Sequence, residues 1–332
     1  MNANRVKGRR AGWSCLLIGI ALLATFFIAL NIGPVRISLF ELSATDKVIL
    51  FNLRLPRILS AFFVGGGLAL AGAIFQGLFR NPIADSYLLG VSSGASLGAA
   101  ATIVFRLASP LANFAAVSFF AFVGSLMALA LVFYFGHHNG GFSIFRLLLS
   151  GLGVGLFLSA LVTVLMLMAG EELKALIFFF LGGFSSSSWD TTWISLACIP
   201  VAVLIACYFA PELNVLLLGE ETAASSGIRT GRIQFVYAML AALLTSISVS
   251  VAGLIGFVGL IVPHIIRLLS GADHRILFPL TFFAGGIFLV LCDTAARTII
   301  APAELPVGIV TSLVGVPIFL YLIRKEAGDY GL

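Results

Sequence analysis

Apolar stretches long enough to cross a bilayer recur from one end of this chain to the other, and this repetition constrains the fold more than any single motif. A spanning helix needs about 20 predominantly apolar residues. Ten such stretches can be placed, at about 11–33, 56–79, 88–107, 112–135, 146–169, 191–210, 233–252, 254–269, 276–299 and 306–323. No segment longer than a loop remains between them, which predicts one transmembrane domain over 1–332 with no appended soluble domain. Charge content agrees. Only 10% of the 332 residues are charged, whereas an ordinary soluble domain carries roughly 25%. The mean hydropathy is +1.13. The predicted fold class is an all-α membrane protein, a polytopic bundle of about ten helices.

Two regions depart from the regular pattern. Leu176–Phe184 is apolar but too short to span, which suggests a half-helix dipping in from the outer side. The stretch 233–269 is too long for one helix and barely long enough for two; Gly253, Gly256 and Gly259 offer places to break it. Glycines inside other spans, such as Gly65, Gly66 and Gly67, read first as close helix packing and second as unwound helix at a pathway.

A pI near 9.2 raises the question of nucleic acid. The basic residues instead cluster at the ends of apolar segments, as the positive-inside rule expects of a chain surrounded by lipid. Arg5, Lys7, Arg9 and Arg10 precede the first apolar run. That run exceeds the roughly 7–15 residues of a signal-peptide core, and no small-residue cleavage site follows it. It therefore reads as a retained first helix with a cytoplasmic N-terminus. Ten spans then place both termini in the cytoplasm, and twelve of the nineteen Lys and Arg fall on that side. The seven on the outer side, among them Arg54, Arg57 and Arg297, call for an explanation of their own.

Absent motifs narrow the chemistry. Cys15, Cys198, Cys207 and Cys292 are scattered without a C-x-x-C pair, so neither a metal site nor a disulfide framework is supported. There is no G-x-x-x-x-G-K-[ST] phosphate loop, no H-E-x-x-H and no G-x-S-x-G. No catalytic residue, metal or cofactor is assigned to the chain. Ion-coupled secondary transporters, the alternative class, usually carry carboxylates near the midplane. Asp293 is the best candidate here, and it lies toward the end of its span. The energy source is expected on another chain.

Three tracts carry a specific resemblance. The first runs from Arg54-Leu-Pro-Arg57 through GGGLALAGAIFQGLFRNPIADSYLLGVSSGASLGAA; the second is LLGEETAASSG, Leu217 to Gly227; the third is GFVGLIVPHIIRLLSGADHR followed by Asp293-Thr-Ala-Ala-Arg297 and APAELPVGIVTSLVGVPIF. Together they resemble the FecCD family, the permeases of type II ABC importers for iron chelates and vitamin B12. The resemblance implies two permease copies, identical or closely homologous, around a central pathway. It also implies two ATPase subunits below, holding ATP and Mg, and a periplasmic or lipid-anchored substrate-binding protein above. The cargo it implies is a ferric siderophore first, then haem, then a corrinoid.

The resemblance also gives roles to residues. Arg54, Arg57 and Arg297 are expected to dock carboxylates of the binding protein, against the alternative of anchoring in the lipid interface; a planar guanidinium suits carboxylates because it binds them in pairs. Leu217, Leu218, Gly219, Glu220, Glu221, Ala224 and Gly227, in the loop 211–232, are expected to couple to the ATPase, against the alternative of a plain solvated loop. Asn81, Pro82 and Ile83 with Ser143, Ile144 and Phe145 are expected at a cytoplasmic gate, against simple helix termination at Pro82. His264 and Arg267 are expected in a structural patch or a secondary ATPase contact.

Overall fold

The computed structural model describes residues 2–33, 43–107, 113–136 and 144–329. Among these the regular structure is helical throughout, in the order α1 (Asn2–Asn31), α2 (Ala44–Val48), α3 (Leu55–Leu78), α4 (Val91–Val104), α5 (Asn113–Gly136), α6 (Ile144–Met168), α7 (Leu173–Leu181), α8 (Trp189–Tyr208), α9 (Ala210–Leu217), α10 (Glu220–Ser225), α11 (Thr230–Ala252), α12 (Val258–Ser270), α13 (His274–Ala296) and α14 (Val307–Asp329). Ten of these helices correspond to the expected apolar stretches. Among the described residues, six stretches of continuous helix are long and apolar enough to cross a bilayer outright, and Leu16–Asn31, Val91–Val104, Val258–Ser270 and Val307–Leu322 are shorter apolar helices.

The bundle is built around α3. Its spanning window is 89% buried, whereas those of α5, α6 and α8 are 22–33% buried and leave most of their surface uncovered by the rest of the chain. The sequence of α3 explains why it can sit at the centre. Small residues let helix backbones approach closely, and in lipid such packing drives helix association. Gly65 meets the backbone of Gly285 on α13, and Gly72 meets that of Gly259 on α12, so closely that a Cβ on either would fall on a carbonyl oxygen. Antiparallel to α3, α13 adds the T-shaped pair of Phe62 and Phe282, with centroids 5.6 Å apart. Packing is thus the role these glycines play.

Three expected boundaries shift. The helix begun by Ala44 continues into α3 through a wider π-helical turn at Ile49–Arg54. Pro56 lies in the first turn of α3 and has no N–H to give, so the ladder ahead of it must adjust. Helix α4 starts at Val91 rather than near 88, because Asn81–Gly90 forms turns, with Gly90 left-handed at φ 66°. The long stretch 233–269 breaks in the expected glycine-containing segment, at Gly253–Phe257 with φ of 70° at Gly253 and 69° at Phe257, but α12 starts at Val258 rather than near 254.

The short apolar segment at 176–184 lies mostly within α7, which at nine residues is too short to span. Its end is held by main-chain bonds to two other chain breaks: Gly183 N donates to Ala252 O (2.8 Å), Leu254 N to Phe179 O (3.3 Å) and Val307 N to Gly182 O (2.9 Å). Tyr87 braces the same region, its hydroxyl donating to Ile255 O at 2.7 Å and accepting from Ile255 N at 2.8 Å.

Candidate functional site

The polar side chains that the sequence singles out gather at opposite ends of the bundle. At one end α3 begins, α13 finishes and the chain leads into α14. Here Arg57 spans two carboxylates: Nε and Nη2 donate to Asp293 at 2.7–3.0 Å, and Nη1 donates to both oxygens of Glu304 at 3.0 Å. The Asp293 side chain is 2% exposed and that of Glu304 32%. Asp293, the residue that an ion-coupled pump would need free, is held by a guanidinium.

Arg54 and Arg297 share this cluster but turn inward, 4% and 2% exposed. Both serve the end of α1, whose last carbonyls have no partner within the helix. Arg54 Nη1 donates to Leu30 O and to Asn31 O, and Arg297 Nη2 donates to Ala29 O at 2.7 Å and to Thr294 Oγ1 at 3.2 Å. Arg54 and Arg297 thus cap a helix of the same chain, a role the sequence did not show because their carbonyl partners carry no side-chain signal.

Beside the cluster lies a cavity of about 840 Å³ between α4, α5, α7, α8, α11 and the start of α14. Its lining mixes Phe178, Phe179 and Phe184 with the hydroxyls of Thr102, Ser118, Ser185, Ser186, Thr191 and Ser250. Arg57, Arg106 and Lys174 are balanced there by Glu171, Glu172 and Glu304, and Arg106 pairs with Glu172 at 3.1 Å. The wall is therefore neutral overall, amphipathic, and of the size usual for ligand pockets.

At the other end the loop 211–232 folds into α9 and α10, which meet at Gly219, where φ is 134°. Leu217 is half-buried, Leu218, Glu221, Ala224 and Gly227 are exposed, and Ala223 is fully buried, so α10 lies on the bundle with one face open. The side chain of Glu220 lies outside the described residues. The neighbouring turn at Asn81 is local chemistry: Arg80 takes φ 50°, and Asn81 Oδ1 accepts from Ile83 N at 2.9 Å, the turn expected of Asn before Pro. Asn81, Pro82 and Ile83 are exposed, as is Phe145; Ser143 and the side chain of Ile144 lie outside the described residues. His264 and Arg267 sit half-buried on α12.

A helical bundle of this kind, with an amphipathic cavity at one end and two short surface helices at the other, defines a polytopic membrane permease. The match to the FecCD transport family covers residues 16–325, and the chain belongs to that family, the permeases of ABC importers. It is 41% identical over 287 residues to the "Cobalamin import system permease protein BtuC" of Halobacterium salinarum, covering 86% of this chain and 76% of that one. It is 37% identical over 327 residues to the "Vitamin B12 import system permease protein BtuC" of Salmonella paratyphi A, with 98% of each covered. Among solved structures, an inward-facing conformation of a protein assigned to the metal-chelate type of ABC transporters superposes with a TM-score of 0.86 at 32% identity, covering 93% of this chain and 98% of that one.

Proposed function

We propose that two copies of this chain, or one copy with a close homologue, form the pathway for a metal chelate across the plasma membrane, and that the cargo is a corrinoid. The observation that carries the cargo is the naming of relatives at 37–41% identity as cobalamin or vitamin B12 import permeases. It reverses the order expected from the sequence, where a ferric siderophore came first and haem second. The neutral, hydroxyl-rich cavity agrees, since a corrinoid is rich in amides and carries little net charge.

In this reading the Arg57 end faces outward and receives a substrate-binding protein. Arg57 and Glu304 lie nearest that partner, and Arg54 and Arg297 hold the platform beneath them. The α9–α10 end faces the cytoplasm and contacts two ATPase subunits, which bind ATP and Mg; this chain does not hydrolyse ATP. The same reading assigns Asn81–Ile83 and Ser143–Phe145 to a cytoplasmic gate. His264 and Arg267 form a secondary patch on the same side.

The test is uptake in proteoliposomes holding the permease and its ATPase, with the binding protein outside. Labelled cobalamin should enter in an ATP-dependent way, whereas a ferric catecholate siderophore and haem should not. Transport of the siderophore alone would overturn the cargo. Flux driven by an ion gradient without ATPase would overturn the machine in favour of a secondary transporter.

A further inference from the structure

A partly buried polar brace ties α9 to the start of α13. Asn214 Nδ2 donates to Asp273 Oδ1 at 2.7 Å. Its Oδ1 accepts from His274 N at 3.0 Å and lies 2.7 Å from His274 Nδ1. A carboxylate only accepts, so the Asn214 amide has one orientation here, and His274 must carry its proton on Nδ1. His274 is 1% exposed and packs edge-on against Phe278, with centroids 4.9 Å apart. Asp273 also caps α13, accepting from Arg275 N at 3.1 Å. A second tie runs from Arg80, just past the end of α3, whose Nη2 donates to Leu216 O at 2.7 Å.

The two ties therefore hold α9 against the antiparallel pair α3 and α13. That pair is packed backbone to backbone through Gly65 and Gly285 and is clamped at its far end by Arg57 and Asp293. Packed helices of this kind move as units rather than deforming. A displacement of α9 would be carried along the whole length of the pair to the Arg57 end.

We infer that Asn214 is a positioning residue of the transport cycle, passing movement of the α9–α10 segment to α13, with Arg80 performing the same task for α3. This rests on the reading of α10 as the ATPase contact. The three bonds of the Asn214 side chain all go to Asp273 and His274 of this chain.

The test uses the full complex in proteoliposomes and reads both the yield of ATPase subunits co-purified and the ATP hydrolysed per cobalamin imported. Asn214→Ala should leave assembly intact and raise the ATP used per cobalamin at least about 5-fold, the lower end of what loss of a coupling contact implies. Asn214→Asp should uncouple as well, because it sets two carboxylates against each other. The exchange N214D with D273N should restore coupling, since the amide at 273 then donates to the carboxylate at 214. Unchanged ATP use in Asn214→Ala would overturn the inference. Where that variant does not accumulate, the exchange decides: rescue of assembly and coupling supports it, and failure to rescue what N214D loses overturns it. The underlying reading fails on a different result, namely Glu221→Lys leaving both assembly and coupling unchanged.

Discussion

Arg297 is a cation held in a nearly dry setting, with an α1 carbonyl on one side and Asp293 Oδ2 3.9 Å away on the other. Replacing it with Glu would set a second carboxylate beside Asp293 and leave Ala29 O without a donor. We expect Arg297→Glu to lower stability by about 3 kcal/mol or more, the scale of an uncompensated buried charge, read as a fall in the thermal unfolding midpoint in detergent. Glu304→Gln should be mild by the same measure, since that carboxylate is 32% exposed and Asp293 still satisfies Arg57. At the opposite end, the guanidinium of Arg275, and then its backbone N–H and the Asn214 amide, hold the Asp273 carboxyl below the ordinary 3.8, at about 2. A depressed carboxylate stabilises above its ordinary value and loses that contribution as pH falls toward the depressed one. Cap and brace should therefore be indifferent to pH between about 5 and 8; a break in coupling within that window, measured as ATP per cobalamin, would exclude Asp273 as its source. Residue types and spacing marked Arg54, Arg57 and Arg297 in the sequence. Which of them a partner could reach was hidden there, because the end of α1 that buries two of them is apolar and silent.

Among the elements, α3 was legible as a span but not as the hub, because its apolar character is uniform and only the glycines hint at what surrounds it. Gly72→Ala tests that role. Its Cβ would land on the Gly259 carbonyl, and overpacking of this kind costs about 1–3 kcal/mol. A lowered unfolding midpoint is expected, with α12 displaced from α3. The start of α4 was misplaced because Leu88, Leu89 and Gly90 are as apolar as a helix interior, whereas Pro82 and the polar run Asp85–Ser86 keep the chain in turns until Val91. The loop 211–232 was legible as an amphipathic segment, leucines beside glutamates. Its division into α9 and α10 follows from Gly219, whose φ of 134° few other residues tolerate. With α10 presenting its open face, Glu221→Lys should reduce ATPase co-purification or raise the ATP consumed per cobalamin.

For the molecule as a whole, the run of apolar stretches decided the class, and the FecCD tracts decided the family. What periodicity could not show is how α7, the α11–α12 link and the start of α14 meet, since those contacts run through main-chain groups that every residue carries. Purified alone, the permease should show no ATP hydrolysis above a detergent blank; robust turnover in a preparation free of other chains would overturn the division of labour. The junction at Gly182, Ala252 and Val307 has a consequence for how such a protein can change. Its bonds belong to the backbone, so the shape of the chamber beside it does not depend on which side chains point inward. Phe178, Ser185 and Ser250 are then free to be exchanged one at a time without the frame collapsing, and a lineage could adopt a new cargo by re-lining a room whose walls stay where they are.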